Sequence, residues 1–384
     1  MRASAASICL LLAALGVGAR AQPSDAVPGS PRWFFDVVTA EPPEPLASLD
    51  GERYVQGLAA AGREDLIEAL PTPRAPAVEC RAQGAGGAPV VEQLAALARA
   101  TRIVVVNEAS DSPRHRDLTR ALAPALAAQG YRYFAAEALS PEFVDRAQER
   151  FGRMEAGIGA AEPAFGDVIR AVKAAGYTLV AYEETGADPF GPPSSAGSVA
   201  ARAQAQAENI VERIFAADPN AKVLIHAVRS HAAEVPLPAF DVSTSWMTTR
   251  LKALTGINPL TIDQTYCRSQ TAALELAIPS APLPDGAFDI AVAHPAPEFF
   301  RGRPQWRIDA GAVAIELPEA FTGGGARTLI EARLEGEPPD AIPVDRLLLW
   351  PGERLPLLLP VGQVRVTQYR EGGGTPRTLV LNVR

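Results

Sequence analysis

The chain has 384 residues, which is long enough for one large domain or two. Its hydrophobic fraction of 47% is ordinary for a globular protein, and its formal net charge is −8. An acidic chain without a cluster of lysine and arginine argues against nucleic acid or an anionic membrane surface as the partner.

The first 21 residues have the pattern of a secretory signal peptide. Arg2 supplies a positive charge, Ile8 to Val17 is a short apolar run, and Ala19-Arg20-Ala21 fits a cleavage site. The apolar run is too short to span a bilayer, so we expect no membrane insertion after cleavage. The sequence therefore predicts a periplasmic or secreted bacterial protein.

Two cysteines, Cys80 and Cys267, would remain in the exported chain. In an oxidising compartment they form either one disulfide or two separate buried thiols, and the sequence leaves both open. A bridge would tie the segment before the predicted sheet to the segment after it.

Residues 22–88 are rich in proline, glycine and alanine, which predicts a loop-rich N-terminal segment with a helix near Glu64–Leu70. Residues 89–285 then alternate between apolar runs and helical segments. Strands are predicted at 102–107, 131–136, 177–182 and 222–227, and helices at 90–99, 113–129, 165–175, 198–217 and 246–254. This alternation predicts an α/β fold with a mostly parallel sheet and flanking helices.

Residues 286–384 contain short apolar or alternating runs separated by glycine- and proline-rich turns. The first of these runs is Phe288–Ala293. The pattern predicts a small antiparallel β-domain after the α/β domain. No cluster of ligand-type residues occurs in it, so we expect a structural role or the binding of a protein partner.

Acidic residues follow three of the four predicted parallel strands. Glu108 and Glu137 end the first two, and Glu183-Glu184 ends the third. Parallel sheets bind ligands at the carboxyl ends of their strands. We expect desolvation to raise the pKa of Glu108, which suits a general acid or base, and we expect Glu137 beside it if the two strands are neighbours. Such a pair can also hold a metal.

The fourth strand leads to His226 and His231. Residues five apart on a strand face opposite ways, so the two histidines share a site only if the chain bends between them. We therefore expect His231, in the loop, to be the site residue. Arg202 lies on one face of the long helix with Gln206 and Asn209, where it either faces solvent or pairs with the carboxylates.

Two common types of site are missing from the sequence. No G-x-S-x-G elbow is present, which argues against an ordinary α/β-hydrolase. No G-x-G-x-x-G motif or P-loop follows the first strand, which argues against a nucleotide cofactor.

The order of these motifs resembles the erythromycin-esterase, ChaN and TIKI/TraB-type superfamily. The resemblance covers about residues 95–265 and rests on four short matches: Asn107-Glu108-Ala109-Ser110, Ala136-Glu137, Arg202 through Asn209, and His226 to His231. By resemblance, Glu108 would be the general base or a metal ligand, Glu137 a second acid, Arg202 a charge-fixing residue and His231 the late histidine. The chain departs from the pattern at Ser110, where the first motif has a histidine.

These observations predict an exported hydrolase-like protein that activates water against an ester or amide in a small molecule or peptide. The predicted catalytic residues are Glu108, Glu137, Arg202 and His231. The cofactor is either a divalent metal, with Glu108, Glu137 and His231 as candidate ligands, or none. The alternative is a non-catalytic protein that binds haem, a metal or another small ligand in the same cleft.

Overall fold

The computed structural model describes residues 26–46, 48–71, 78–82, 88–140, 144, 160–183, 196–239, 242–279, 283–322 and 324–384. The predicted signal peptide and Glu184 lie outside these ranges. Within them, no helix has the length and apolar character needed to cross a membrane.

The α-helices in the described part of the chain are numbered in order: α1 (Pro31–Val37), α2 (Leu49–Ala60), α3 (Glu64–Ala69), α4 (Val90–Leu97), α5 (Arg114–Ala127), α6 (Pro163–Ala174), α7 (Ala196–Ile210), α8 (Met247–Thr255), α9 (Gln305–Asp309) and α10 (Glu319–Thr322). Short 3-10 turns lie at Ala98–Ala100 and Arg229–Ala232, and α7 continues into a π-helical turn at Val211–Phe215.

The described β-strands are β1 (Val78–Glu79), β2 (Arg81–Ala82), β3 (Ile103–Glu108), β4 (Tyr133–Ala136), β5 (Thr178–Ala181), β6 (Val223–Val228), β7 (Leu237–Ala239), β8 (Val242–Thr244), β9 (Leu260–Asp263), β10 (Cys267–Arg268), β11 (Glu275–Ile278), β12 (Ile290–Ala293), β13 (Phe299–Phe300), β14 (Arg303–Pro304), β15 (Val313–Ile315), β16 (Thr328–Leu334), β17 (Asp345–Leu349), β18 (Leu357–Leu359), β19 (Gly362–Arg370) and β20 (Arg377–Val383).

An eight-stranded sheet forms the centre of the molecule, in the order β2-β11-β12-β9-β3-β6-β4-β5. The six strands from β12 to β5 are parallel, and β11 and β2 add an antiparallel edge. The predicted α/β class with a mostly parallel sheet is therefore confirmed. One detail differs from the prediction: β3 and β4 are not neighbours, because β6 lies between them.

Each face of this sheet packs against different helices. Val104 and Val106 of β3 lie on the face covered by α5 and α6. Val105 and its partner Ile225 lie on the face covered by α7 and α8. Side chains alternate along a strand, so the residue number at each strand end decides which layer of helices that side chain meets.

A second, four-stranded antiparallel sheet has the order β17-β16-β19-β20, with β15 and β18 paired beside it. The predicted antiparallel β region at the C-terminus is thus present. Helices α1 to α3 pack on this sheet, where Trp33 and Phe34 share a buried cluster with Leu329 and Leu348. The N-terminal segment is therefore more helical than the loop-rich prediction. Its apolar residues are contiguous rather than helically spaced, so periodicity did not indicate α1.

The run at Phe288–Ala293 belongs to the central sheet, not to the C-terminal sheet as predicted. Its strand, β12, pairs in parallel with β9, with Ile290 opposite Ile262. All four residues of β12 are buried. A short buried apolar run has the same appearance in either kind of sheet, so the sequence did not identify its partner.

Cys80 and Cys267 form a disulfide across 187 residues of sequence, with their Cα atoms 5.3 Å apart. Cys80 lies between β1 and β2, and Cys267 begins β10, which pairs with β1. Of the two alternatives left open by the sequence, the structure contains the bridge. It ties the N-terminal segment to the antiparallel edge of the central sheet.

Candidate functional site

The two predicted glutamates lie on opposite faces of the central sheet. Glu108 follows Val104 and Val106 in alternation and contacts Arg116 of α5. Glu137, just after β4, contacts Arg202 of α7. With β6 between their strands, the two strand ends are about 10 Å apart. The condition for the expected pair, that the first two strands are neighbours, is not met, because a strand later in the chain inserts between them.

Glu108 is held in a buried ion-pair network. Arg116 donates to both carboxylate oxygens, from Nε at 2.7 Å and from Nη2 at 2.8 Å, and reaches Glu162 through Nη1 at 2.6 Å. Glu162 also accepts from the first backbone amides of α6. Nε2 of His226 lies 2.9 Å from Glu108 but outside hydrogen-bond geometry. Both carboxylate oxygens of Glu108 therefore accept hydrogen bonds from Arg116.

This network lowers the pKa of Glu108, contrary to the prediction. Burial alone would raise the pKa, but the charge and hydrogen bonds of Arg116, with a contribution from His226, bring it well below the usual range. Only 3% of Glu108 is exposed. A buried carboxylate whose protonated form is so disfavoured is a poor proton acceptor. The geometry of Glu108 therefore fits a structural ion pair.

On the opposite face, Arg202 joins Glu137 and Glu183. Its Nη2 donates to Glu137 at 2.8 Å and also to Glu183, and its Nε donates to both oxygens of Glu183 at 3.1 Å. The second oxygen of Glu137 accepts from the backbone amide of Val228 at 3.1 Å. Of the two predicted orientations of the Arg202 face, the structure has the one that pairs with carboxylates.

Gln206 connects this ion cluster to His231. A carboxylate only accepts, so the Gln206 amide that lies 3.0 Å from Glu183 must present its nitrogen there. Its oxygen therefore faces Nδ1 of His231, at 2.7 Å. An amide oxygen cannot donate, so Nδ1 carries the proton and Nε2 has the free lone pair.

His231 is neutral in this setting. Burial lowers its pKa, and the charge of Arg202 adds to that effect, while Glu137 and Glu183 oppose it. The ring packs edge-on to Trp246, with 4.9 Å between centroids. Nε2 has no hydrogen-bond partner among the described residues and is not one of the fully buried unpartnered atoms. The nitrogen that can accept a proton is therefore unpaired within the described chain, in a residue that is 7% exposed.

A sharp bend after β6 brings His231 into this cluster. Arg229 adopts a left-handed backbone conformation with φ 44, and a 3-10 turn follows. The chain therefore bends between His226 and His231, as the prediction for His231 required. His226 instead remains in the sheet, is 2% exposed, and lies near Thr119 and Phe165 on the Glu108 face. The two histidines do not share a site.

The predicted metal ligands are not gathered around one point. Glu108 lies on one face of the sheet, while Glu137 and His231 belong to the cluster on the other. Among the described residues, no three His, Cys, Asp or Glu side chains are placed to hold a metal ion.

Sequence analysis missed Arg116 and Glu162, and it gave Glu183 too little weight. Arg116 lies eight residues after Glu108, in the first turns of α5, and no motif distinguished it from a surface arginine. The shared helix face of Arg202, Gln206 and Asn209 could have indicated an acidic partner at the end of β5, but it does not distinguish Glu183 from Glu184. Asn209 donates to the backbone oxygen of Tyr182 at 3.1 Å, which holds that face against the end of β5.

No family model and no curated protein matches this sequence. Among solved structures, the chain is similar to the type III effector HopBA1, with a TM-score of 0.37 and 14% identity over 58% of this chain and 99% of that chain. It is similar to RRSP, a MARTX toxin effector domain from Vibrio vulnificus, with a TM-score of 0.34 and 17% identity over 65% of this chain and 47% of that one.

It is also similar to ChaN of Campylobacter jejuni, which binds haem cofacially, with a TM-score of 0.33 and 12% identity over 53% of this chain and 91% of that chain.

Proposed function

We propose that this protein is a hydrolase in which His231 activates water against an ester or amide carbonyl. The observation that supports this most is the fixed tautomer of His231, which leaves Nε2 unprotonated and without a hydrogen-bond partner among the described residues. A neutral imidazole with a free lone pair is the usual general base near neutral pH.

Arg202 would stabilise the charge that forms on the carbonyl oxygen. Its Nε and Nη2 are used by Glu137 and Glu183, while Nη1 has no hydrogen-bond partner in the described part of the chain. The side chain is 31% exposed. Its pKa is raised by the hydrogen bonds and charges of the two glutamates, despite burial, so it stays charged throughout the reaction. Donors fixed before the reaction stabilise an oxyanion at little further cost.

The reaction would run in two proton transfers. Nε2 of His231 takes a proton from water as the water oxygen bonds to the carbonyl carbon, and Nη1 of Arg202 donates to the developing oxyanion. The tetrahedral intermediate then collapses, and the proton on Nε2 passes to the leaving alkoxide or amine. Glu137 and Glu183 hold the guanidinium, and Gln206 holds the imidazole.

The first experiment is a panel of small ester and peptide substrates with wild-type protein and the His231→Gln variant. We expect kcat/KM for the substrate that turns over to fall by about 10²–10⁴, the usual contribution of a general base. Far-UV and near-UV circular dichroism should be unchanged in His231→Gln, because glutamine can still contact Gln206. Equal turnover by both proteins would refute the assignment.

The second candidate is ligand binding without turnover at the carboxyl ends of the same strands. Ser110 favours it, because serine replaces the histidine of the first motif in the resembling family and cannot act as a base near pH 7. Haem or another small ligand would then copurify in stoichiometric amount, with a Soret band in the case of haem, and the substrate panel would give no turnover.

We also propose export from a bacterial cell and distant membership of the erythromycin-esterase, ChaN and TIKI/TraB-type superfamily. The disulfide between Cys80 and Cys267 supports export, since such bonds persist in oxidising compartments. The antiparallel C-terminal sheet is proposed to serve as a structural support or as a surface for a protein partner.

A further inference from the structure

We infer that a rim formed by Ser110, His115 and Arg229 binds an oxyanion, which would be a carboxylate or phosphate group carried by the substrate. This inference rests on the proposed function only in assigning the anion to a substrate. The rim lies at the carboxyl ends of β3 and β6, beside the turn that leads to His231.

Arg229 is placed there at a conformational cost. Its backbone φ of 44° lies in the left-handed region, which residues other than glycine rarely adopt. Asn107 donates to the Arg229 carbonyl at 3.4 Å and to Asp263 at 2.7 Å, so buried polar groups hold this bend. Strain in a non-glycine residue at a strand end is typical of functional sites.

The guanidinium of Arg229 is directed to solvent. Its side chain is 56% exposed, and its ion pair with Asp111 has a separation of 3.6 Å, longer than a hydrogen bond. Asp111 is the acidic group of this rim and orients the guanidinium. An exposed pair at that distance is weak, so an incoming oxyanion can compete for the guanidinium.

His115 lies beside the rim, next to the backbone that leads to Ser110, and is 7% exposed. Its Nδ1 accepts from the backbone amide of Ala109 at 3.0 Å, so in the neutral ring the proton is on Nε2. Its pKa is lowered to about 3, first by burial and then by the charges of Arg114, Arg229 and Arg116, against the opposing charge of Glu108. Nε2 has no hydrogen-bond partner among the described residues. His115 therefore donates and cannot replace the missing histidine as a base.

Ser110 completes the set of donors. Its hydroxyl oxygen accepts from Nε2 of Gln56 at 3.5 Å, which leaves its own O–H available as a donor. A guanidinium, an imidazole N–H and a hydroxyl together match the acceptor-only oxygens of an anion.

The test is a titration of the full chain with inorganic phosphate and, separately, with acetate, followed by ¹⁵N shifts of the Arg229 and His115 side chains. We expect saturable binding by the wild type and affinity at least about tenfold weaker in Arg229→Gln, the usual effect of losing one charge-assisted bond. Tighter binding of phosphate would identify a phosphoryl group, and tighter binding of acetate a carboxylate.

Arg301 provides a matched control. It also has a left-handed backbone, with φ 52, its side chain is 52% exposed, and it pairs with Glu316 at 2.5 Å, away from the rim. Arg301→Gln should bind both anions like the wild type. Arg229→Gly should relieve the strain, melt at or above the wild-type temperature, and still lose the anion.

The inference is overturned if the wild type binds neither anion saturably, or if Arg229→Gln or Arg229→Gly binds as tightly as the wild type. The His231→Gln variant separates the two proposals, because it should lose turnover and keep anion binding. Anion binding without any hydrolysis would therefore count against the hydrolase alone, and hydrolysis without anion binding against the rim alone.

Discussion

At the scale of single residues, two glutamates that both end parallel strands have different partners. Glu108 and Glu137 both follow buried strands, yet both oxygens of Glu108 are taken by Arg116. Glu137 shares Arg202 with Glu183 on the opposite face of the sheet, where the arginine side chain is 31% exposed. A carboxylate at a strand end is thus a site residue only if the facing helix leaves it accessible.

Replacing Glu108 tests its structural role. In Glu108→Gln, the new amide nitrogen faces a guanidinium donor, and Arg116 is left with Glu162 as its remaining carboxylate. Breaking one partner of a buried ion pair costs about 3–5 kcal/mol, so the free energy of unfolding should fall by about that amount in urea denaturation.

The control for this prediction is Glu319→Gln. The carboxylate of Glu319 pairs with Arg354 at 3.2 Å, but its side chain is 78% exposed. Such an exposed pair should change the free energy of unfolding by no more than about 0.5 kcal/mol. Equal destabilisation by the two substitutions would contradict the structural assignment of Glu108.

At the scale of elements, the start of α5 and the end of β12 meet in a polar contact that depends on neutral histidines. The rings of His115 and His294 lie 4.8 Å apart. Gln264 accepts from His294 at 2.8 Å and donates to the backbone oxygen of His115 at 3.1 Å. Arg114 donates to the other ring nitrogen of His294. Protonation of His294 would put a cation against Arg114, and protonation of His115 would place a buried charge near Arg114, Arg229 and Arg116.

Stability should therefore fall as the pH is lowered. Burial lowers the pKa of His115 to about 3, and burial, His115 and Arg114 bring that of His294 well below its usual value. Below about pH 6.5 the unfolded chain binds protons that the folded chain excludes, so the free energy of unfolding declines with pH until the folded pKa is reached.

The measurement is the free energy of unfolding in urea at pH 7, 6 and 5. His115 alone should account for a loss of about 2 kcal/mol by pH 5. Its removal in His115→Gln should flatten that part of the profile, because glutamine does not titrate. A profile identical to that of the wild type would show that His115 is protonated in the folded state.

At the scale of the whole molecule, the sequence predicted the architecture better than it predicted the site. Alternating apolar runs and helices were sufficient for the parallel sheet, because burial on both faces leaves continuous apolar strands such as 103–106. The order of strands was not predictable, since β6 pairs with β3 across more than 100 residues. That pairing separated Glu108 from Glu137.

Candidate site residues could be predicted together from the sequence where they lie on the same helix. Arg202, Gln206 and Asn209 lie on one helical face, so their common direction followed from spacing alone. His231 required the bend at Arg229, which no glycine or proline marks in the sequence. Arg116 depended on the packing of α5 against β3, which is a tertiary contact and has no local signal.

The most direct test of the account is the tautomer of His231, observed through the ¹⁵N shifts of the histidine rings near neutral pH. We predict a proton on Nδ1 and a free lone pair on Nε2 for His231. His115 and His294 should show the opposite tautomer and serve as internal references, because Nδ1 of each accepts a hydrogen bond. A proton on Nε2 of His231, alone or as part of an imidazolium, would contradict its assignment as the base.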